Sequence, residues 1–376
     1  MVTGHDNLKM ASSVVDAVAR ILGHGPTKSS VELLNGLQCD LRVLPPGQYG
    51  TALVYFTGSQ AHNIRLRELA QQQGLSLNES AFTQLNGGAP IQCESEEQVY
   101  QTLGLAWVPP ELREDRGEIE AAQVQNNTLP QLITLQDIRA DFHLHTVWSD
   151  GHLTVRELAQ TAHARGLSHI VVTDHSVSLG VANGLSIDRL RAQREEIRVV
   201  DAEMSRLTPP LRVFQGTEME IKTDGTLDFP DEVLAELDVV VASLHSGLRQ
   251  DRTQVTQRLL TAIRNPHVDI IGHPRGQLIP DREGADLDMD AIFAAAAETG
   301  TALEINANPH RLDLDDVHAR RSVELGVKLT IDTDAHNAAD FDLLRYGVST
   351  ARRGWVRAQN VINTLPTEAF LQWLNE

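Results

Sequence analysis

The stretch ADFHLHTVWSDGH, residues 140–152, sets His143 and His145 one residue apart at the end of a strand-like run. Asp150 follows five residues later, in a turn marked by Ser149 and Gly151. Side chains two apart on a strand share a face, so the two imidazoles can grip one ion together. The same arrangement recurs downstream. Apolar runs in SHIVVTDHS (168–176), RVFQGTEME (212–220), LDVVVASLHS (237–246), VDIIGHPRG (268–276), TALEINANP (301–309) and VKLTIDTDAH (327–336) each lead into polar residues. Amphipathic segments such as TVRELAQTAHARG (154–166) and MDAIFAAAAETG (289–300) lie between them. Strands alternating with helices indicate a parallel sheet, and seven such strands predict a barrel rather than an open sheet.

In such barrels the active site is built at the C-terminal ends of the strands. There the sequence places His143 and His145, then Asp174 and His175, Glu218, His245, His273, Glu304 and Asn306, and finally Asp334 and His336. One histidine at a strand end is ordinary. Carboxylates and imidazoles converging from five or six strands are not, because buried carboxylates without a cation are costly. His5, His24, His62, His152, His163, His169, His267 and His318 are expected on loops or helices, outside this pattern. Nine candidates remain: His143, His145, Asp150, His175, Glu218, His245, His273, Asp334 and His336. Nitrogen and carboxylate donors suit zinc, manganese or iron. Nine donors exceed what one or two ions with open positions use, whereas three divalent ions sharing a bridging carboxylate account for them. Such a cluster lowers the pKa of a bound water to about 7 and holds both oxygens of a phosphoryl displacement. Phosphoester hydrolysis is the expected reaction class.

Composition limits the alternatives. The chain has 376 residues, 41% hydrophobic and 22% charged, enough for one large domain and a smaller one. The net charge of −19 argues against loose nucleic-acid binding through a general basic field. No apolar run approaches a membrane span, and the opening MVTGHDNLKM lacks the sections of a signal peptide. Two cysteines, Cys39 and Cys93, make neither a disulfide framework nor a thiolate cage, which fits a cytoplasmic protein.

The first hundred residues have another texture. SSVELLNG followed by LQCDLRVLPP predicts a hairpin turning at Asn35-Gly36. HNIRLRELAQQQG predicts a helix ended by Gly74. From VPPELREDRGEIEAAQVQNNTLPQL onward the chain is polar and Pro-punctuated. It is expected to be a linker over 109–136 with one short helix, between units at 1–108 and 137–376.

In order, HLH…SDG, TDHS, GTE, SLHS, GHP and DTDAH resemble the PHP domain of metal-dependent phosphoesterases. The resemblance implies a distorted (β/α)7 barrel with a trinuclear site. His143, His145, Glu218 and Asp334 would hold one ion. Glu218 would bridge to a second held with His245 and His273, and Asp150, His175 and His336 would hold the third. More narrowly, SLGVANGLS, DGTLDFPDE, ALEINANPHRLDLDDVHARR and TARRGW are similar to the PHP domain of bacterial family X DNA polymerases. LQCDLRVLPPGQYGTALVYFTGSQAHNIRLRELA is similar to the end of that family's palm and its thumb. The fold class expected is therefore α/β, a PHP barrel preceded by a smaller α+β palm and thumb remnant.

That similarity implies that Tyr55, Phe56 and Gly58 line a nucleotide sugar and that Asn63 and Arg67, four apart on a helix, face a nascent base pair. Asp40 would be the third of three metal-binding aspartates, with magnesium the expected ion there. The DxD pair that should precede it is missing, since Asp6 and Asp16 are isolated. The expectation is a truncated family X polymerase whose polymerase site is dead and whose phosphoesterase site is complete. It would act on DNA 3′ ends in repair, as a 3′-5′ exonuclease or 3′-phosphoesterase. A small-molecule phosphomonoesterase of histidinol-phosphatase type is the alternative, or an active DNA polymerase if the upstream part is supplied, and a DNA- or nucleotide-binding remnant with a structural cluster is a third class. Arg275 and Arg311 are candidates for phosphate contact, because a guanidinium fork fits phosphate oxygens.

Overall fold

The structure is a computed structural model that describes residues 17–375. His5, Asp6 and Asp16 lie outside the described residues. The chain divides between Leu129 and Pro130 into two compact units.

The first unit opens with a three-stranded antiparallel sheet of β1 (Val18–His24), β2 (Lys28–Leu33) and β3 (Gln38–Arg42). The β2–β3 hairpin pairs Glu32 with Gln38 and turns through Gly36 at φ +83°, the left-handed conformation glycine tolerates. Helices α1 (Tyr49–Thr57) and α2 (Gln60–Gln72) follow, and Ser59 caps the second by accepting from the His62 N–H. A small pair, β4 (Leu75–Leu77) with β5 (Phe82–Gln84), and helix α3 (Glu96–Thr102) complete its core around Leu66, Phe82 and Val99.

The segment expected as a linker is not a solvated connector. Leu112, Arg113, Glu118 and Ile119 are all buried in the first unit. The Arg113 guanidinium donates to Val108 O, Thr57 Oγ1 and Glu96. The Glu118 carboxylate accepts from His62 Nδ1 (2.6 Å) and from the Asp115 and Arg116 amides (2.8 and 2.7 Å). Charged composition suggested solvent, but here the charges satisfy one another and the backbone. Residues from 130 onward join the second unit, where the Ile133 amide donates to Val356 O and the Arg139 amide to Asn363 O.

The second unit is a seven-stranded parallel sheet. Its strands are β6 (Ala140–Asp141), β7 (His169–Val172), β8 (Arg212–Glu220), β9 (Val239–Ser243), β10 (Ile270–Gly272), β11 (Ala302–Asn306) and β12 (Leu329–Asp332), in sequential order. Its edges meet through a parallel bridge between Leu144 and Ala335, so the sheet closes into the expected barrel. Outward-facing Ile170, Val172, Val240, Ala242, Leu303 and Ile305 pack beneath the surrounding helices. Inward-facing Val171, Phe214, Val239, Val241, Ile270 and Ala302 form a separate inner core. A C-terminal helix (Thr367–Trp373) seals that core, with Phe370 stacked on Phe142 at 4.7 Å. His24 and His169 are not on a loop or helix as expected: His24 is the last residue of β1. His169 begins β7 and is buried beside Phe142, Phe214 and Phe370. Among the described residues no helix is long and apolar enough to cross a membrane.

Candidate metal centre

Alternation along the barrel strands explains why one end is apolar and the other polar. On β8 the inward positions run Phe214, Gly216, Glu218, Glu220; on β9 and its continuation they run Val241, Ser243, His245. The same step takes Val171 to His175, Ala302 to Glu304 and Asn306, and Thr330 to Asp332 and Asp334. Two details differ from the sequence expectation. Glu218 lies within β8, two residues before its end, and His143 and His145 lie beyond the short β6 in an extended segment held by the Leu144–Ala335 bridge.

Glu218 is the hub. Its Oε1 lies 2.8 Å from His273 Nε2 and 3.1 Å from His245 Nε2. Its Oε2 lies 2.8 Å from His175 Nδ1, 3.3 Å from His143 Nε2 and 3.6 Å from His145 Nε2. Asp334 Oδ1 faces His145 Nε2 at 3.1 Å and His143 Nε2 at 3.7 Å. Asp150, at the rim, lies 3.5 Å from His175 Nε2 and 3.4 Å from His336 Nε2. All nine candidates therefore fall into overlapping groups of three or four donors close enough to share an ion.

Neighbouring groups aim the imidazoles. His143 Nδ1 hydrogen-bonds Glu304 (2.8 Å), His245 Nδ1 donates to Glu220 (2.6 Å) and His336 Nδ1 donates to Asp334 O (2.8 Å), so each presents Nε2 to the centre. Glu220 was not singled out from the sequence, yet it stands two residues after Glu218 on the same face of GTEME. Asp174 serves the loop instead of the centre. Its carboxylate accepts from Thr146 N and Oγ1 (2.8 and 2.6 Å) and from Ser149 Oγ, and so fixes the turn that carries Asp150. His273 and Asp334 both adopt positive φ, +27° and +55°, a strained conformation that clusters at functional sites.

The electrostatics fit cations. Burial alone would raise the Glu218 carboxyl, but the His245, His175 and His143 rings outweigh it and hold it well below the usual carboxylate range. Burial, with His175 and His336 alongside, pushes His145 down to about 3. Burial, with Arg311 nearby, takes His273 to about 3. The other four rings shift the opposite way: against burial, the Glu218 carboxylate raises His143 and His245 and takes His175 to about 10, and Asp150 and Asp334 take His336 to about 9. Neutral imidazole and ionised carboxylate are the ligand forms, so a bound cation would displace those protons. His143 Nε2, both nitrogens of His145, His245 Nε2 and His273 Nδ1 are buried without a hydrogen-bond partner. Buried polar nitrogens without partners are rare, so this many gathered around one carboxylate fits a resident metal cluster.

The two arginines part company. Arg311 Nε lies 3.3 Å from Asp334 Oδ2, at the centre, and its Nη1 is buried without a partner. Arg275 Nη1 pairs instead with Asp315 Oδ2 at 3.3 Å, in a cleft lined by Gln277, Glu283 and His318.

In the first unit, Tyr55, Asn63 and Arg67 line one shallow depression with Val54 and Leu77. Asn63 Nδ2 donates to Tyr55 O (2.8 Å) and Gly58 O (3.2 Å), Arg67 Nε donates to Asn63 O, and the Phe56 ring is half exposed beneath Arg42. Asp40 is paired with Lys28 at 3.1 Å, and β1 (VARILGH) brings no carboxylate to it. Among the described residues Asp40 belongs to no potential metal-binding group.

Residues 141–308 match the family model described as PHP domain, and residues 52–114 match DNA polymerase beta thumb. The chain is 41% identical over 360 residues to DNA polymerase/3′-5′ exonuclease PolX of Bacillus subtilis (strain 168), covering 94% of this chain and 62% of that protein. It is 30% identical over 237 residues to a probable phosphatase of Thermoanaerobacter sp. (strain X514), covering 60% of this chain and 89% of that one. It is 32% identical over 213 residues to a probable phosphatase of Caldanaerobacter subterraneus, covering 53% of this chain and 77% of that one.

Proposed function

The chain belongs to the PHP domain family, and from that premise we propose that it is a metal-dependent phosphoesterase acting on DNA 3′ ends, as a 3′-5′ exonuclease or 3′-phosphoesterase in DNA repair. The observation that carries this is the nine-residue donor set around Glu218, in the same chain as a polymerase thumb match. His143, His145, Glu218 and Asp334 would hold one cation, and Glu218 would share a second with His245 and His273. Asp150, His175 and His336 would hold a third. Zinc or manganese suits these donors best, and iron is compatible. Such cations supply Lewis-acid polarisation of a phosphoryl oxygen and acidify a water at neutral pH.

The protein's own groups do the rest. Glu304 and Glu220 keep His143 and His245 aimed, and the Arg311 guanidinium offers its unpaired Nη1 to a phosphate oxygen. Arg275, held by Asp315, is assigned no phosphate contact. Residues 52–114, with Tyr55, Phe56, Gly58, Asn63 and Arg67, would hold a nucleotide or a DNA end. Asp40, the remnant's candidate magnesium ligand, is tied to Lys28, which favours the reading that the chain carries out no two-metal nucleotidyl transfer. Cys39 and Cys93 are unpaired, in keeping with the cytoplasm.

The test uses metal-reconstituted protein and a 5′-labelled, 3′-recessed DNA duplex with manganese, zinc or magnesium and a deoxynucleotide pool. Stepwise shortening without extension is expected. Extension would overturn the statement about Asp40. The phosphatase relatives favour a second reading, a small-molecule phosphomonoesterase. Hydrolysis of small monoesters with intact DNA would put that reading first.

A further inference from the structure

Helix Arg252–Ile263 carries a buried guanidinium that belongs to no catalytic group. Arg258 is 3% exposed, and all five of its N–H donors are used. Nε donates to Lys222 O (2.9 Å), and Nη2 donates to Ile221 O (2.6 Å) and Ser246 O (3.1 Å). Nη1 donates to Gly247 O (3.3 Å) and Gln250 Oε1 (2.7 Å). Four of these acceptors are backbone carbonyls, and they come from two loops. One follows the strand of Glu218 and Glu220; the other begins at His245. A buried cation held without a carboxylate partner is expensive, so its retention asks for a reason beyond packing.

We propose that Arg258 is a positioning residue for the cation half-site in which His245 and His273 face Glu218 Oε1. The proposal rests on reading those three side chains as cation ligands. The latch runs onward from Arg258 without a gap. Ser246, whose carbonyl Arg258 holds, donates its hydroxyl to Glu220 Oε1 (2.8 Å), and His245 Nδ1 donates to Glu220 Oε2 (2.6 Å). Both loops are thereby fixed to one another and to the carboxylate that orients the imidazole. Gly247, at φ +63°, completes the fit, because a Cβ there would stand 2.8 Å from Arg258 Nη1. Lysine cannot replace this guanidinium, since three donors on a flexible stem cannot serve five fixed acceptors.

The test compares the full chain with Arg258→Met, Arg258→Lys and Gly247→Ala, the last acting on the same latch from the other side should the buried substitutions prevent folding. Metal-stripped proteins are titrated calorimetrically with manganese, their thermal unfolding is recorded, and phosphoesterase turnover is measured at limiting and saturating manganese. One class of cation is expected to bind about tenfold or more weakly, the usual cost of losing an outer partner, while the others are unchanged. Saturating manganese should restore kcat with KM for the phosphoester unaltered. Wild-type cation affinities in the variants would overturn the proposal, as would equal weakening of every cation together with loss of stability in the stripped protein. Wild-type protein that binds no manganese would bring down the cation-ligand reading itself, before any variant is compared.

Discussion

Glu218 serves five imidazoles with two oxygens. Glu218→Gln keeps the shape and removes the charge. Turnover is expected to fall by at least about a hundredfold, with loss of more than one cation in a manganese titration, because the position joins two half-sites. Arg311→Gln should behave otherwise. Cation content is expected to stay constant while KM for the phosphoester rises about tenfold, as for loss of a charge-assisted hydrogen bond made alike in ground and transition states. Arg275→Gln, by contrast, is expected to leave KM within about twofold, since an accessible ion pair contributes little. Steady-state kinetics on the three proteins separates these outcomes. That these nine side chains would meet at one end of the barrel was readable beforehand, because strand alternation and polar termination are properties of single residues. The different fates of Arg275 and Arg311 were not, since they depend on which of Asp315 and Asp334 each one meets across loops.

The helix Thr367–Trp373 shows what an element contributes at the opposite end of the barrel. Phe370→Ala would open a hole against Phe142 and Phe214, and a loss of about 3–5 kcal/mol is expected in denaturant unfolding. His169 shares that apolar layer, and burial pushes its imidazole down to about 4. Its ordinary pKa is about 6.5, so between those values the unfolded chain binds more protons and stability falls as pH is lowered. Above about 6.5 the contribution is fully present; by pH 5 about 2 kcal/mol is expected to be lost. Urea midpoints of the wild type and His169→Phe at pH 7 and pH 5 check this, the variant losing correspondingly less. Neither the plug nor the buried His169 is evident from periodicity, because the plug's partners Phe142, His169 and Phe214 lie more than 150 residues away in the chain. The misjudged linker has a related cause. Its charges read as solvent-facing one by one, and only the pairing of Glu118 with His62 and of Arg113 with Glu96 hides them.

For the molecule as a whole, the hydrophobic layers lie below and around the cluster and include none of the nine donors. Chelation is therefore expected to abolish turnover while the far-ultraviolet circular dichroism is retained, and added manganese should restore activity. Collapse of the spectrum on chelation would instead make the cluster a folding element. The seven-strand barrel was legible from the repeated strand-then-helix rhythm, since that pattern is local in sequence. The division near residue 130 falls inside the 109–136 segment expected to separate the units, but its place within that segment was not legible, since it is set by which unit captures each polar stretch. The plug has a further consequence during synthesis. The inner face of the barrel begins at Ala140, yet its lid includes Phe370, so a nascent chain carries that apolar surface uncovered until more than two hundred further residues have been translated. Closure of the inner layer is thus a late, long-range event, and the interval before it is when the growing polypeptide depends most on chaperones.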